Sequence, residues 1–136
     1  MNSAGNNKTW FRACMINDVP ENGGVCVKYQ SHQIALFYFT RRSEWFATQN
    51  MCPHRQQMSL SRGMLGSHGE EPKIACPFHK KTFSLTDGRC MNSDEGYRIS
   101  TYDVRIEEGA VYIDVTSLDD DIINHTNNNA YAKINH

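Results

Sequence analysis

Cys52-Pro53-His54 and Cys76-Pro77-Phe78-His79 are separated by 21 residues and lie inside a chain of short, strand-like segments. Each half supplies one thiol and one imidazole, and each cysteine precedes a proline, which fixes one backbone angle and stiffens the loop. Working outward, Val25 to Tyr29 is β-branched and follows the turn signal Asn22-Gly23-Gly24. Gln33 to Phe39 is a nearly continuous apolar run, the pattern of a strand covered on both faces. Trp45 to Thr48 follows a charged turn. Tyr102 to Ile106 and Val111 to Val115 alternate and are joined at Glu107 to Ala110, which predicts a hairpin around Gly109. Ile16 to Glu21 has room for one short helical turn, limited by Pro20. No stretch has the period of a long amphipathic helix. The fold class is all-β.

The chain has 136 residues, enough for one domain with short extensions. Its net charge of −1 argues against a dedicated nucleic-acid binder, which carries a basic excess. It gives no support for a membrane partner either, and the longest apolar run, Ile34 to Phe39, is far below the roughly 20 residues of a membrane span. Residues 1–9 are polar, without the apolar core of a secretion signal, and read as a flexible N-terminus. Residues 116–136, with Asp119 to Asp121 and Asn127 to Asn129, read as a flexible polar tail. The folded domain is expected over 10–115 and its location is expected to be the cytoplasm. Cys14, Cys26, Cys52, Cys76 and Cys90 are an odd set in a chain without a secretion signal, so a metal site explains the grouped ones better than disulfides.

Two thiolates and two imidazoles hold either a structural zinc or a two-iron, two-sulfide cluster with mixed ligands. The order separates the two. When both cysteines bind one iron and both histidines the other, each loop must offer one of each, as here. Zinc fingers more often keep a cysteine pair on one loop and a histidine pair on another. The candidate ligands are Cys52, His54, Cys76 and His79. No Ser-His-Asp set, phosphate-binding glycine loop or nicotinamide fingerprint is present, so the chain has no substrate-transforming site of its own.

With these loops in view, the chain resembles Rieske [2Fe–2S] proteins, and more closely the small subunits of assimilatory NAD(P)H-dependent nitrite reductase. The resemblance spans Trp10 to Val115. It rests on Asn22 to Cys26, Gln33 to Phe37, Leu60-Ser61-Arg62-Gly63, Lys80-Lys81, and Phe83 to Met91. It implies a β-sandwich with a cluster-binding subdomain of two loops at its tip, and a Rieske [2Fe–2S] cofactor. It also implies a large partner subunit carrying FAD, an iron–sulfur cluster and sirohaem, together reducing nitrite to ammonia. This chain would be a one-electron relay or accessory subunit in nitrate assimilation. High-potential Rieske proteins bridge their loops with a disulfide; the matching positions here hold Gln57 and Phe78. Lys81 replaces the serine that would donate a hydrogen bond to the cluster. The resemblance therefore implies a potential low in the span of about −150 to +300 mV.

Two other readings stay open: a stand-alone Rieske ferredoxin feeding an oxygenase, and a zinc-stabilised binding module. Arg55, Lys80 and Lys81 adjoin the ligands and read equally as a docking rim or as ordinary solvated charge. Gly66 to Pro72 reads as an inserted polar loop, with His68 exposed in it. His32 reads as a turn residue before a strand, and His125 and His136 as solvent-exposed tail residues. Cys14, Cys26 and Cys90, with Trp10, Trp45 and Phe83, are assigned to the core.

Overall fold

The computed structural model describes residues 8–78 and 80–118. Twelve strands follow in chain order among them: β1 (Trp10–Met15), β2 (Gly23–Tyr29), β3 (His32–Phe39), β4 (Glu44–Gln49), β5 (Met51–Cys52) and β6 (Gln57–Met58), then β7 (Met64–His68), β8 (Glu71–Ala75), β9 (Thr82–Ser84), β10 (Thr101–Tyr102), β11 (Val104–Glu107) and β12 (Ala110–Asp114). The expected short turn is a single 3-10 turn at Ile16–Asp18.

Strand β3 organises the molecule. It pairs antiparallel with β2 on one side and β4 on the other, and β10 extends this sheet to the order β10-β4-β3-β2. Successive side chains of a strand point to opposite faces, so an apolar run can serve two cores. Ile34 and Leu36 join Val111, Ile113 and Val115 of the second sheet, β1-β12-β11, in a lower core. Ala35 and Phe37 face the other way, into an upper core with Leu60, Ile74, Phe83 and Ile99. That upper core underlies the tip, which is built from the β5-β6 pair and the three-stranded sheet β7-β8-β9.

Three expectations change. The stretch from Tyr102 to Ile106 is not one strand: Tyr102 pairs with Ala47 in the first sheet, whereas Val104 pairs with Ile113 in the second. The chain changes sheets at Asp103, whose carbonyl accepts a hydrogen bond from the Asp114 amide at 2.9 Å. The segment read as a polar loop is instead the end of a hairpin, with His68 opposite Glu71 and Ser67 opposite Pro72. Pro72 fits in this strand because β9 pairs only with Lys73 to Ala75, so the proline sits beyond the doubly paired stretch. Gly69, at φ +62°, supplies the left-handed residue of the tight turn. Finally, the ordered body reaches past both expected borders. Thr9 accepts from the Val115 amide at 2.9 Å, and Leu118 is buried in the lower core. Residues 1–7 and 119–136, including most of both expected flexible segments, lie outside the described residues, as does His79.

Other expectations find definite places. Phe83 is fully buried, while Trp10 and Trp45 are half-buried, Trp45 stacked on Tyr38 with ring centroids 4.2 Å apart. Cys26 is exposed rather than a core thiol: it lies opposite Ala35 on the edge strand β2, with its sulfur 3.4 Å from the Gln33 amide oxygen. Cys14 and Cys90 are half-buried. His32 is the first residue of β3 rather than a turn residue, and His68 is exposed. No helix among the described residues is long and apolar enough to cross a membrane.

Candidate metal centre

Two similar turns carry the cysteines. Cys52 ends β5 and pairs with Gln57 of β6, so the chain reverses through Pro53 to Gln56. Cys76 follows β8; its amide donates to the Lys81 carbonyl at 2.8 Å, and the Lys80 amide donates to its carbonyl at 3.0 Å. Both turns close four residues after the cysteine on a left-handed residue, Gln56 at φ +56° and Lys80 at φ +58°. The β-sheet ladder on either side supplies the rigid ends, and the prolines start each loop in a restricted conformation.

The loops bring Cys52 and Cys76 together, both buried in the upper core. Burial pushes the Cys52 thiol above its ordinary pKa, and the adjoining Cys76 thiol pushes the same way. Opposing them, the amides of His54 and Arg55 donate to the Cys52 sulfur, stabilising the thiolate. Two thiolates in an apolar pocket repel one another unless a cation lies between them. Two adjoining buried sulfurs, one of them already receiving amide donors, are therefore well suited to a cationic iron pair. His54 sits at the half-exposed crest of the first loop, its ring edge-on to Tyr97 with centroids 5.4 Å apart and planes at 85°. Among the described residues, no three Cys, His, Asp or Glu side chains converge tightly enough for a single ion. All five cysteines are free, in keeping with Gln57 and Phe78 at the positions of the missing bridge.

Several supporting residues escaped sequence reasoning. The fully buried Ser59 places its hydroxyl 3.5 Å from the Cys76 sulfur, so one loop's flank touches the other loop's cysteine. Asn50, 2% exposed, accepts from the Ser61 amide at 2.8 Å and donates to Gln33 at 3.0 Å. Its carbonyl accepts from the amides of Ser59 and Leu60, so this one residue fixes both ends of the first loop. Across the site, Asn92 donates to the Lys80 carbonyl at 3.0 Å and accepts from the Thr82 amide at 3.1 Å. Polar residues of this sort carry no spacing signal, because their partners are distant in sequence.

Lys81 is less exposed than either reading of it, as a docking rim or as ordinary solvated charge, required. Its ammonium lies 3.4 Å from Glu95 and 5.8 Å from the centre of the Tyr97 ring, and its side chain is only 19% exposed. Hydrogen bonds from Ser93 and then Lys81 hold the Glu95 carboxyl below the usual carboxylate range. Arg55 and Lys80 are exposed, and Arg62 lies over the Phe78 ring at 5.4 Å.

Comparison with known proteins agrees with this geometry. Residues 9–114 match the family described as a Rieske-like [2Fe–2S] domain. The nitrite reductase (NADH) small subunit of Salmonella typhimurium is 35% identical over 104 residues, covering 76% of this chain and 95% of that protein. The solution structure of the Escherichia coli protein NirD superposes with a TM-score of 0.69 at 33% identity, covering 78% of this chain and 96% of that one. The Klebsiella oxytoca nitrite reductase [NAD(P)H] large subunit is 32% identical over 107 residues, 78% of this chain but 11% of that protein. The matched region spans both cysteine loops and the sandwich that carries them, and the chain belongs to the Rieske-like [2Fe–2S] domain family, among the nitrite reductase small subunits, with a Rieske-type [2Fe–2S] cluster as its cofactor.

Proposed function

We propose that the chain is the small subunit of an NAD(P)H-dependent nitrite reductase, an oxidoreductase, and that Cys52 and Cys76 hold one iron of its cluster while His54 and His79 hold the other. The observation that carries this is the pair of matched turns that set two buried thiols side by side, with backbone amides donating to the Cys52 sulfur. When bound, such a cluster accepts and returns one electron, and histidine ligation makes it easier to reduce than an all-cysteine cluster. The protein's part is to hold the thiolates without water, to aim His54 from a half-exposed crest and to keep the loops rigid through Asn50 and Asn92. Rigid ligands reorganise little on electron transfer, which suits a relay.

The tip is the face offered to a partner. Residues 45–69 and 72–86 contain Arg55, Arg62, Lys73, Lys80 and Lys81 but no acidic residue. Among the described residues no carboxylate pairs with Arg55, Arg62 or Lys80. Met58, Met64 and Phe78 are 49%, 74% and 51% exposed on the same loops. Such a surface fits a partner face that is apolar at its centre and carries carboxylates, and the large nitrite reductase subunit is the proposed partner. A chain of five free thiols suits the reducing cytoplasm.

The test begins with protein purified without oxygen, which is expected to hold about two irons and two labile sulfides per chain. One zinc and no sulfide would instead establish the binding-module reading. Co-expression with the large subunit should then raise nicotinamide-dependent nitrite reduction, and Arg62→Glu with Lys80→Glu should weaken association. Undiminished activity without this chain, with electron delivery to an oxygenase, would make it a ferredoxin.

A further inference from the structure

Residues 91–97 lie against both cysteine loops, although no ligand comes from them. Toward the second loop the attachment is polar. The Met91 amide donates to the Thr82 carbonyl at 2.7 Å, and Asn92 bridges Lys80 and Thr82. Toward the first loop the attachment is the Tyr97 ring, edge-on to His54. That same ring carries the Lys81 ammonium at 5.8 Å, and Glu95 fixes the ammonium from the other side at 3.4 Å. Tyr97 is half-buried against the upper core, and its carbonyl accepts from the Cys90 amide at 3.2 Å. One aromatic ring thus connects the imidazole of one loop to the cation of the other.

We infer that Tyr97 is a positioning residue for the His54 imidazole. This rests on the reading of His54 as a ligand. Only a narrow range of rotation about the Cβ–Cγ bond of a ligand imidazole aims a ring nitrogen at the metal. The Tyr97 ring limits that range through an edge-to-face contact, and Lys81 and Glu95 hold the Tyr97 ring in turn. The ring does the positioning rather than the hydroxyl, because the contacts to His54 and Lys81 are both to the aromatic face or edge.

The experiment compares holoproteins carrying Tyr97→Phe, Tyr97→Leu and Tyr97→Met. Three quantities are read: the g-values of the reduced cluster by EPR, the rate of iron loss to a chelator and the melting temperature. Tyr97→Leu and Tyr97→Met should shift the g-values and lose iron roughly three- to tenfold faster, the scale of one edge-to-face aromatic contact. Tyr97→Phe should match the wild type in both. A role limited to packing would lower the melting temperature without moving the g-values, and that result overturns the inference. So does Tyr97→Phe behaving like Tyr97→Leu, or failure of both Tyr97→Leu and Tyr97→Met to fold. A wild-type chain that shows no [2Fe–2S] spectrum defeats the ligand reading itself, whereas an intact wild-type spectrum with insensitive variants defeats only the role of Tyr97.

Discussion

The lower sandwich and the tip share strand β3 and are built on different principles. Below β3, long ladders dominate: β2 and β3 pair over seven residues, β3 and β4 over six. Their inner faces bury Ile34, Leu36, Val111, Ile113 and Val115, each contributing about 1.5–3 kcal/mol of transfer free energy. Above β3, β5 and β6 have two residues each, and the backbone is held by turns and by Asn50, Asn92 and Ser84. Two of the tip's buried side chains are thiols. The lower region is held by ladder hydrogen bonds and apolar burial, whereas the tip sets two thiols side by side within its core. Stability and function are thus placed on opposite faces of one strand.

The largest effect should come from the ligands. Cys52→Ser or Cys76→Ser is expected to abolish the visible absorption and EPR signal of the cluster, while far-ultraviolet dichroism retains the lower sheets. Loss of both signals together would show that the sandwich does not stand without the tip. Next, Ile113→Ala opens a cavity in the lower core and should cost about 2–5 kcal/mol in denaturant unfolding. Its cluster spectrum should stay unchanged in the folded protein; an altered spectrum would mean that the two cores are coupled through β3.

A smaller effect is expected within the tip's scaffold. Gly88 has φ +85°, and a side chain there would drive into the Ile99 carbonyl. Gly88→Ala should cost at least about 1–3 kcal/mol from backbone strain and speed iron loss to a chelator. Equal cluster retention in this variant would show that the tip tolerates displacement of the 86–89 turn.

The smallest effect is electrostatic. The side chain of Arg89 holds the Glu71 carboxyl below its usual range, and the Arg89 amide followed by its guanidinium does the same for Asp87. Ser84 also donates to Glu71 at 2.7 Å, and Arg98 lies close enough to favour ionised Asp87. Groups with depressed folded pKa values stabilise the native state above their ordinary range, and that contribution is lost as pH falls through the folded values. Amide exchange around residues 84–89 should therefore quicken below the carboxylate range before exchange in β3 does. Simultaneous quickening would break the distinction between the two regions.

The two Cys-Pro loops and the strand pattern of β2, β3 and β4 were legible in the sequence because each signal is local. A ligand type, a proline after cysteine or an apolar run carries its meaning within a few residues. The strand character of Gly66 to Pro72 was hidden by its polar composition, and Pro72 is tolerated because β9 ends short of it. Lys81 read equally as a docking charge or a solvated one because its partner Glu95 is 14 residues away and carries no periodic relation to it. Asn50, Ser59, Asn92 and Tyr97 were invisible for the same reason. The sequence by itself determined an all-β domain with two Cys-Pro loops of matching ligand type. Only the tertiary structure decided that one strand serves two cores, that a third stretch packs on both loops, and which basic residues remain unpaired at the tip. Polar and aromatic contacts between distant segments depend on how the sheets cross, and sheet crossing is fixed by packing over the whole molecule rather than by any local pattern.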